Sequence, residues 1–453
     1  MSTTQKILEL NAFDMRSGQG LDPAVKALVA RRRRTFGPTS MLFYNRPLNL
    51  VRGEGAWLFD ADGSRYLDAY NNVPSVGHCH PRVVDAVARQ MATLNTHTRY
   101  LYDHVYTYAE RLLATFPGEI SNIVFTCTGS ESVDLALRIA REVTGGTGFI
   151  ATENAYHGNT TTATEISPSS ASAEAPASNI AFVPAPDSYR YAGDAAGDVL
   201  HAAVLAAIAK MQANGIRFAG MIADSVFSSD GVFPGERGFL AKTVDAVRAA
   251  GGLYIADEVQ PGFGRLGETM WGFQRHGVVP DMVVMGKPMG NGYPIGGVAV
   301  RPDLLQAFGS RAGYFNTFGG SPVASAAGLA VLDVIADEQL QTNARETGAV
   351  FLAGLKKIAS DHASIGDVRG CGLYLAVEFV ANRETREPDT ETAVAAVNAL
   401  RERNVLVGTA GQHGNIWKIR PPLCFNRDHV DIFLEAFAGV LAAGAPARDR
   451  HQS

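Results

Sequence analysis

Lysine is scarce in this sequence: eight of its 40 basic residues are Lys, namely Lys6, Lys26, Lys210, Lys242, Lys287, Lys356, Lys357 and Lys418. Six lie in helical or polar surroundings and read as ordinary surface residues. Lys287 does not. It follows the apolar run Met282–Met285 across a single glycine, in MVVMGKPMGNGYPIGG. An ammonium at the end of a buried strand is costly unless it is paired or deprotonated. The carboxyl ends of strands in open α/β sheets are also where ligands bind. A lysine with a depressed pKa at such a place can form a Schiff base with a carbonyl. The plainer alternative is a side chain that snorkels out to water.

Other residues narrow the chemistry. Asp257 ends the apolar run Gly252–Ala256, in GLYIADEVQPGFGR. Gly129 and Ser130 follow the run Asn122–Thr126 and open a helical pattern, a place where backbone N–H groups meet phosphates. Asn316–Gly320 precedes a second helical run and suits a phosphate in the same way. Tyr156 and His157 follow another short strand, and the Tyr156 ring is suited to cover a flat cofactor. A carboxylate beside a Schiff-base lysine is what pyridoxal phosphate requires at its ring nitrogen. A metal is not expected, because no His or Cys cluster has ligand spacing. Gly262-Phe263-Gly264-Arg265-Leu266-Gly267 fits a dinucleotide fingerprint. No clean amphipathic helix follows it, and no acidic residue closes a second strand, so it is set aside.

These residues need a scaffold. Short apolar runs at 122–126, 148–152, 180–184, 218–224, 252–257, 282–285 and 297–300 alternate with helical stretches. That alternation predicts crossover units and a mostly parallel sheet covered on both faces. An N-terminal arm and part of a small domain are expected over 1–75, a large cofactor domain over 76–328 and a small α+β domain over 329–453. The first 35 or so residues read as irregular, ending in Arg31–Arg34. The segment 167–178 reads as a surface loop of low complexity. The 453 residues are 46% hydrophobic and 19% charged, enough for a large core, with 45 acidic against 40 basic side chains. A net charge of -5 gives no footprint for nucleic acid. No apolar run is long enough to span a membrane and no leader pattern is present, so a cytoplasmic location is expected. Cys79, Cys127, Cys371 and Cys424 are too scattered for a metal or redox pair.

In this order the motifs GHCHP, TGSES, AYHG, ADEVQPGFGR, MGKPMGNGYPIGG and FNTFGGSP resemble a class III (ω-type) aminotransferase of pyridoxal-phosphate fold type I. The resemblance runs from about residue 40 to 440. It implies that Lys287 carries the cofactor, Asp257 pairs with its ring nitrogen and Gln260 lies near the ring hydroxyl. By the same resemblance Tyr156 stacks on the ring, His157 is a structural partner near it, and Gly129 and Ser130 hold the phosphate. Thr317 would reach the phosphate of a neighbouring subunit, which implies a homodimer with shared active sites.

The sequence departs from the family in one stretch. Class III aminotransferases commonly carry Glu-Pro-x-x-Gly-Glu-x-Gly, where this chain has Asp224-Ser225-Val226-Phe227-Ser228-Ser229-Asp230-Gly231. The second glutamate, which in several of these enzymes pairs with a C-terminal arginine, is Ser229 here. The arginine's position is taken by Lys418, two residues before Arg420. If 416–420 is a strand, both cations share a face and offer uncompensated positive charge to a phosphate dianion. The sequence is still more similar to the ethanolamine-phosphate and phosphohydroxylysine phospho-lyases, through VGHCHP, YFNTFGGSPV and a basic residue before PP-x-CF. The expectation is a lyase that eliminates phosphate from a small phosphorylated amine such as O-phosphoethanolamine. The competing expectations are a true class III aminotransferase, alanine–glyoxylate-like or ω-amine-directed, and an inactive cofactor-binding protein.

Overall fold

The computed structural model describes residues 11–14, 20–39, 41–170, 177–191 and 195–443. Three sheets organise them. The central sheet has seven strands: β4 (Asn122–Thr126), β5 (Gly148–Thr152), β6 (Ile180–Val183), β7 (Phe218–Asp224), β8 (Leu253–Asp257), β9 (Met282–Met285) and β10 (Gly296–Val300). Their spatial order is β4-β10-β9-β8-β7-β5-β6. Only β10 runs against its neighbours, pairing antiparallel with β4 and β9. The other pairs are parallel.

The two-residue period of a strand explains why this sheet is buried. Ile150, Met221, Tyr254, Ala256, Val283 and Met285 join one apolar cluster. The residues between them, Phe149, Ala151, Ile222, Ile255, Met282 and Val284, join another on the opposite face. Both faces are therefore covered, as expected for crossover units, and each fully buried large side chain contributes about 1.5–3 kcal/mol. Helix ends are set by local chemistry. Thr128 caps Gly129–Thr144 by accepting from Glu131 N, and Gly145 closes that helix at φ 65°. Ser321 caps the buried helix Pro322–Asp337 in the same way.

A four-stranded sheet combines β1 (Leu50–Glu54), β2 (Trp57–Asp60) and β3 (Arg65–Asp68) with β14 (Val405–Leu406). The N-terminal hairpins thus join the C-terminal part of the chain. The remaining sheet orders β11 (Ile365–Cys371), β12 (Tyr374–Asn382), β16 (Ile416–Ile419) and β15 (Gly408–Ala410), with β13 (Glu387–Pro388) on β12. No helix among the described residues is long and apolar enough to cross a membrane.

Two local expectations are corrected. The four arginines do not end an irregular arm. They lie in the helix Pro23–Phe36, which starts with Asp22 accepting from Ala24 N and a proline in its first turn. Nor is the start of 167–178 a surface loop, because Ser167 and Ser169 are buried. Their hydroxyls satisfy backbone groups: Ser167 Oγ accepts from His157 N at 2.8 Å, and Ser169 Oγ donates to Ala155 O at 2.8 Å. Of the remaining positions in that stretch, 171–176 lie outside the described residues.

Candidate active site

The carboxyl ends of β4, β5, β7, β8 and β9 bring the chemistry-bearing residues together. Asp257 is the last residue of β8 and pairs in register with Asp224 of β7 and Val284 of β9. His157, on the loop after β5, donates from Nδ1 to Asp257 Oδ2 at 2.6 Å. The other Asp257 oxygen accepts from Val259 N at 3.0 Å. His157 Nε2 is buried with no hydrogen-bond partner among the described residues. The neighbouring Glu258 plays a different part. It is fully buried and accepts from Gly272 N at 2.7 Å, Phe273 N at 2.8 Å and the Ser225 hydroxyl. Burial pushes its carboxyl up to about 8, and its bonds from Gly272 N and Phe273 N pin the turn Gly272–His276.

Lys287 stands two residues past the end of β9. Burial, together with the Arg420 guanidinium, pushes its ammonium down to about 8, while Asp257 and Asp224 oppose that shift. Gly286 before it passes so close to Gly129 that a Cβ would meet Gly129 N at 3.0 Å. Lys287 therefore lies beside the start of the helix Gly129–Thr144. The same turn approaches the Tyr156–His157 loop. At Gly158, φ is 148° and a Cβ would lie 2.8 Å from Ser130 Oγ, a position that requires glycine. Ser130 Oγ accepts from Asn159 N at 3.2 Å.

Gln260 is oriented by two donors. Its Oε1 accepts from the Tyr374 hydroxyl at 3.0 Å and from Arg420 Nη1 at 2.9 Å, which leaves its amide N–H groups to donate. Arg420 Nη1 also bonds Asn72 Oδ1, and its guanidinium lies over the Tyr70 ring at 4.6 Å. Among the described residues Arg420 forms no ion pair with a carboxylate, and its buried Nε has no hydrogen-bond partner. Buried Arg265 fixes the segment that follows: its Nη1 donates to Leu373 O at 3.0 Å and Pro421 O at 2.7 Å.

Lys418 is placed differently from the sequence expectation. The strand ends at Ile419, so Arg420 lies just beyond it. Lys418 forms no ion pair among the described residues, although Asp224 and Asp230 both lie in its field. Burial and Arg420 still lower its pKa well below the usual value. Thr317 is exposed on the turn Asn316–Gly320, and no hydrogen bond links it to this cluster among the described residues. The turn itself is anchored to the start of the helix Gly129–Thr144, because Asn316 Nδ2 donates to Glu131 Oε2 at 2.8 Å.

Sequence reasoning missed Val259, Asn72 and Tyr374. Val259 fills the space beside Gly129 and Gly286. Its position two residues after Asp257 was its only local signal. Asn72 and Tyr374 reach Arg420 and Gln260 from far away in the chain and carried none. Among the described residues no group of three His, Cys, Asp or Glu side chains is placed to hold a metal.

This constellation at the strand ends of a doubly covered sheet defines the class of protein: an enzyme of pyridoxal-phosphate fold type I. A family model for class III aminotransferases matches residues 43–441, and the chain belongs to that family. It is 44% identical to a phospholyase from Arthrobacter solved in complex with phosphoethanolamine, with a TM-score of 0.89 and coverage of 92% of this chain and 99% of that one. It is 41% identical to an alanine–glyoxylate aminotransferase 2-like protein of Drosophila melanogaster, over 92% of this chain and 87% of that one. It is 38% identical to an ethanolamine-phosphate phospho-lyase homologue of Caenorhabditis elegans, over 89% and 90% of the two chains. The expected fold class and family are met, and pyridoxal phosphate is the cofactor that this family implies.

Proposed function

We propose that this protein is a phospho-lyase that eliminates inorganic phosphate from a small phosphorylated amine such as O-phosphoethanolamine, leaving an enamine that water hydrolyses to acetaldehyde and ammonia. The observation that carries this reading is the gathering of the basic side chains Lys287, Arg420 and Lys418 beside Gln260 and Asp257, in which Arg420 has no carboxylate partner among the described residues. The phosphoethanolamine complex of the similar Arthrobacter phospholyase supports it.

The residues fit the cofactor. Gly158 lies close against Ser130, and the N–H groups that open the helix after Thr128 would meet a phosphate, with Gly129 and Ser130 as its holders. Asp257, oriented by His157, would supply the fixed negative charge for a protonated ring nitrogen, Gln260 would donate to the ring oxygen, and Tyr156 would cover the ring. Pyridoxal phosphate, when bound, supplies a carbonyl for the amine and a ring that withdraws electrons from the carbon bearing it. Lys287, whose ammonium is disfavoured by burial, would serve as the base that takes a proton from that carbon. Arg420 would hold the departing phosphate by charge-assisted hydrogen bonds, and a phosphate dianion beside Lys418 would oppose the burial and the Arg420 charge that lower its pKa, so that it can donate as well.

The reading includes a homodimer whose active sites are completed by Thr317 of the second copy, and a cytoplasmic location. Tyr100, Leu101, Phe315 and Phe318 support the dimer, since they are exposed apolar side chains on two segments that the Tyr102 hydroxyl joins by donating to Gly320 O at 2.7 Å, with Leu101 88% and Phe318 70% exposed. A second reading, amino transfer, is favoured by the similarity to alanine–glyoxylate aminotransferases. Product analysis tests the proposal: equal amounts of acetaldehyde, ammonia and phosphate from phosphoethanolamine support the lyase, and absence of phosphate release overturns it.

A further inference from the structure

The turn after β7 is held in a conformation that its residues resist. Phe227 and Val232 have φ of 52° and 61°, the left-handed region that bulky and β-branched side chains avoid at a cost of about 1–3 kcal/mol each. Such a turn persists only where its surroundings over-determine it. One restraint is Arg369, whose Nε donates to Val232 O at 2.9 Å and whose Nη2 donates to Gly231 O at 2.7 Å. The other is Asp230. Its Oδ2 accepts from Thr152 Oγ1 at 2.8 Å and its Oδ1 from Asn154 N at 3.1 Å. Asn154 returns a bond from Nδ2 to Ser229 O at 2.9 Å.

The two segments joined in this way face different parts of the site. Val226 and Val232 of the turn pack with Ile416, Tyr374 and Ala376, and Ala376 pairs in register with Lys418. Thr152 and Asn154 lead directly into Tyr156 and His157, and His157 meets Asp257. We propose that Asp230 is a positioning residue of this active site, clasping the strained turn beside Lys418 to the segment that carries Tyr156 and His157. Substrate-side and cofactor-side walls are then set by one carboxylate. Burial pushes that carboxyl up to about 6, so at neutral pH it is ionised and contributes to the field at Lys418. The inference rests on the assignment of Tyr156 and His157 to the cofactor.

The test compares Asp230→Asn, Thr152→Val and Thr152→Ser by hydrogen exchange of the cofactor-free chain and by pyridoxal-phosphate release from the loaded enzyme. Loss of one clasping bond should speed exchange about tenfold, in the segments 153–158 and 226–233 together. Cofactor release should speed up as well. Thr152→Ser, which keeps the hydroxyl, should restore both. Thr152→Val keeps the test decisive if Asp230→Asn fails to fold. Exchange that changes in neither segment, or in only one, overturns the clasp itself. Faster exchange with unaltered cofactor release overturns the proposal at the cofactor assignment of Tyr156 and His157.

Discussion

His157 Nδ1 lies 2.6 Å from Asp257 Oδ2, and both residues are buried at the carboxyl end of the central sheet. The contact fixes the orientation of the carboxylate and holds its second oxygen toward Val259 N. A hydrogen bond to a charged group contributes about 1.5–3 kcal/mol, equivalent to roughly ten- to hundredfold in a rate or affinity. His157→Phe should therefore lower kcat by that factor while the chain stays folded, checked by steady-state rates beside thermal melting. An unchanged kcat would show that Asp257 needs no such partner.

The depressed pKa of Lys287 has a pH consequence. A lysine pKa near 8 means that the free amine is the minority form below that pH and the majority form above it. Capture of pyridoxal phosphate by the cofactor-free protein should accelerate as pH rises through about 8, then level off. Stopped-flow absorbance between pH 6 and 10 measures this. A rise that begins only near pH 10 would show a lysine with ordinary solvation.

Arg420 and Lys418 should separate phosphorylated from plain amines. Lys418→Met is expected to raise KM for phosphoethanolamine selectively, and Arg420→Lys to raise it about tenfold through loss of the planar fork. Neither should raise KM for an unphosphorylated amine by that factor. Equal effects on both substrates would remove the phosphate assignment.

The exposed apolar side chains Tyr100, Leu101, Phe315 and Phe318 predict association. Leu101→Glu together with Phe318→Glu should give monomers in sedimentation analysis and lose most activity, because Thr317 is exposed in the single chain. Full activity in a monomer would contradict shared sites.

Much of this was legible in the sequence, for physical reasons. Each of the seven central strands is a short apolar run closed by a polar or glycine-containing turn, so strand positions could be read locally. Lys287, Asp257, Gly129, Ser130 and Tyr156 were visible because strand ends in such a sheet meet at one place. The contacts that orient them were not visible. Asn72 and Gln260 reach the same guanidinium across long stretches of chain. Asp230 binds Thr152 and Asn154, more than 70 residues earlier. The approach of Asp224 and Asp230 to Lys418 was hidden for the same reason, because sequence spacing says nothing of which sheets face one another. The helical arginines were misread because Asp22, capping beside a proline, outweighed an otherwise weak pattern.

The central claim is that this site eliminates phosphate and does not transfer an amino group. The most direct measurement incubates the yellow holoenzyme separately with phosphoethanolamine and with alanine, following inorganic phosphate and cofactor absorbance together. The lyase account predicts phosphate release from phosphoethanolamine over many turnovers with the cofactor spectrum restored after each. Conversion of the cofactor to its amino form by alanine, with no phosphate released from phosphoethanolamine, would contradict it.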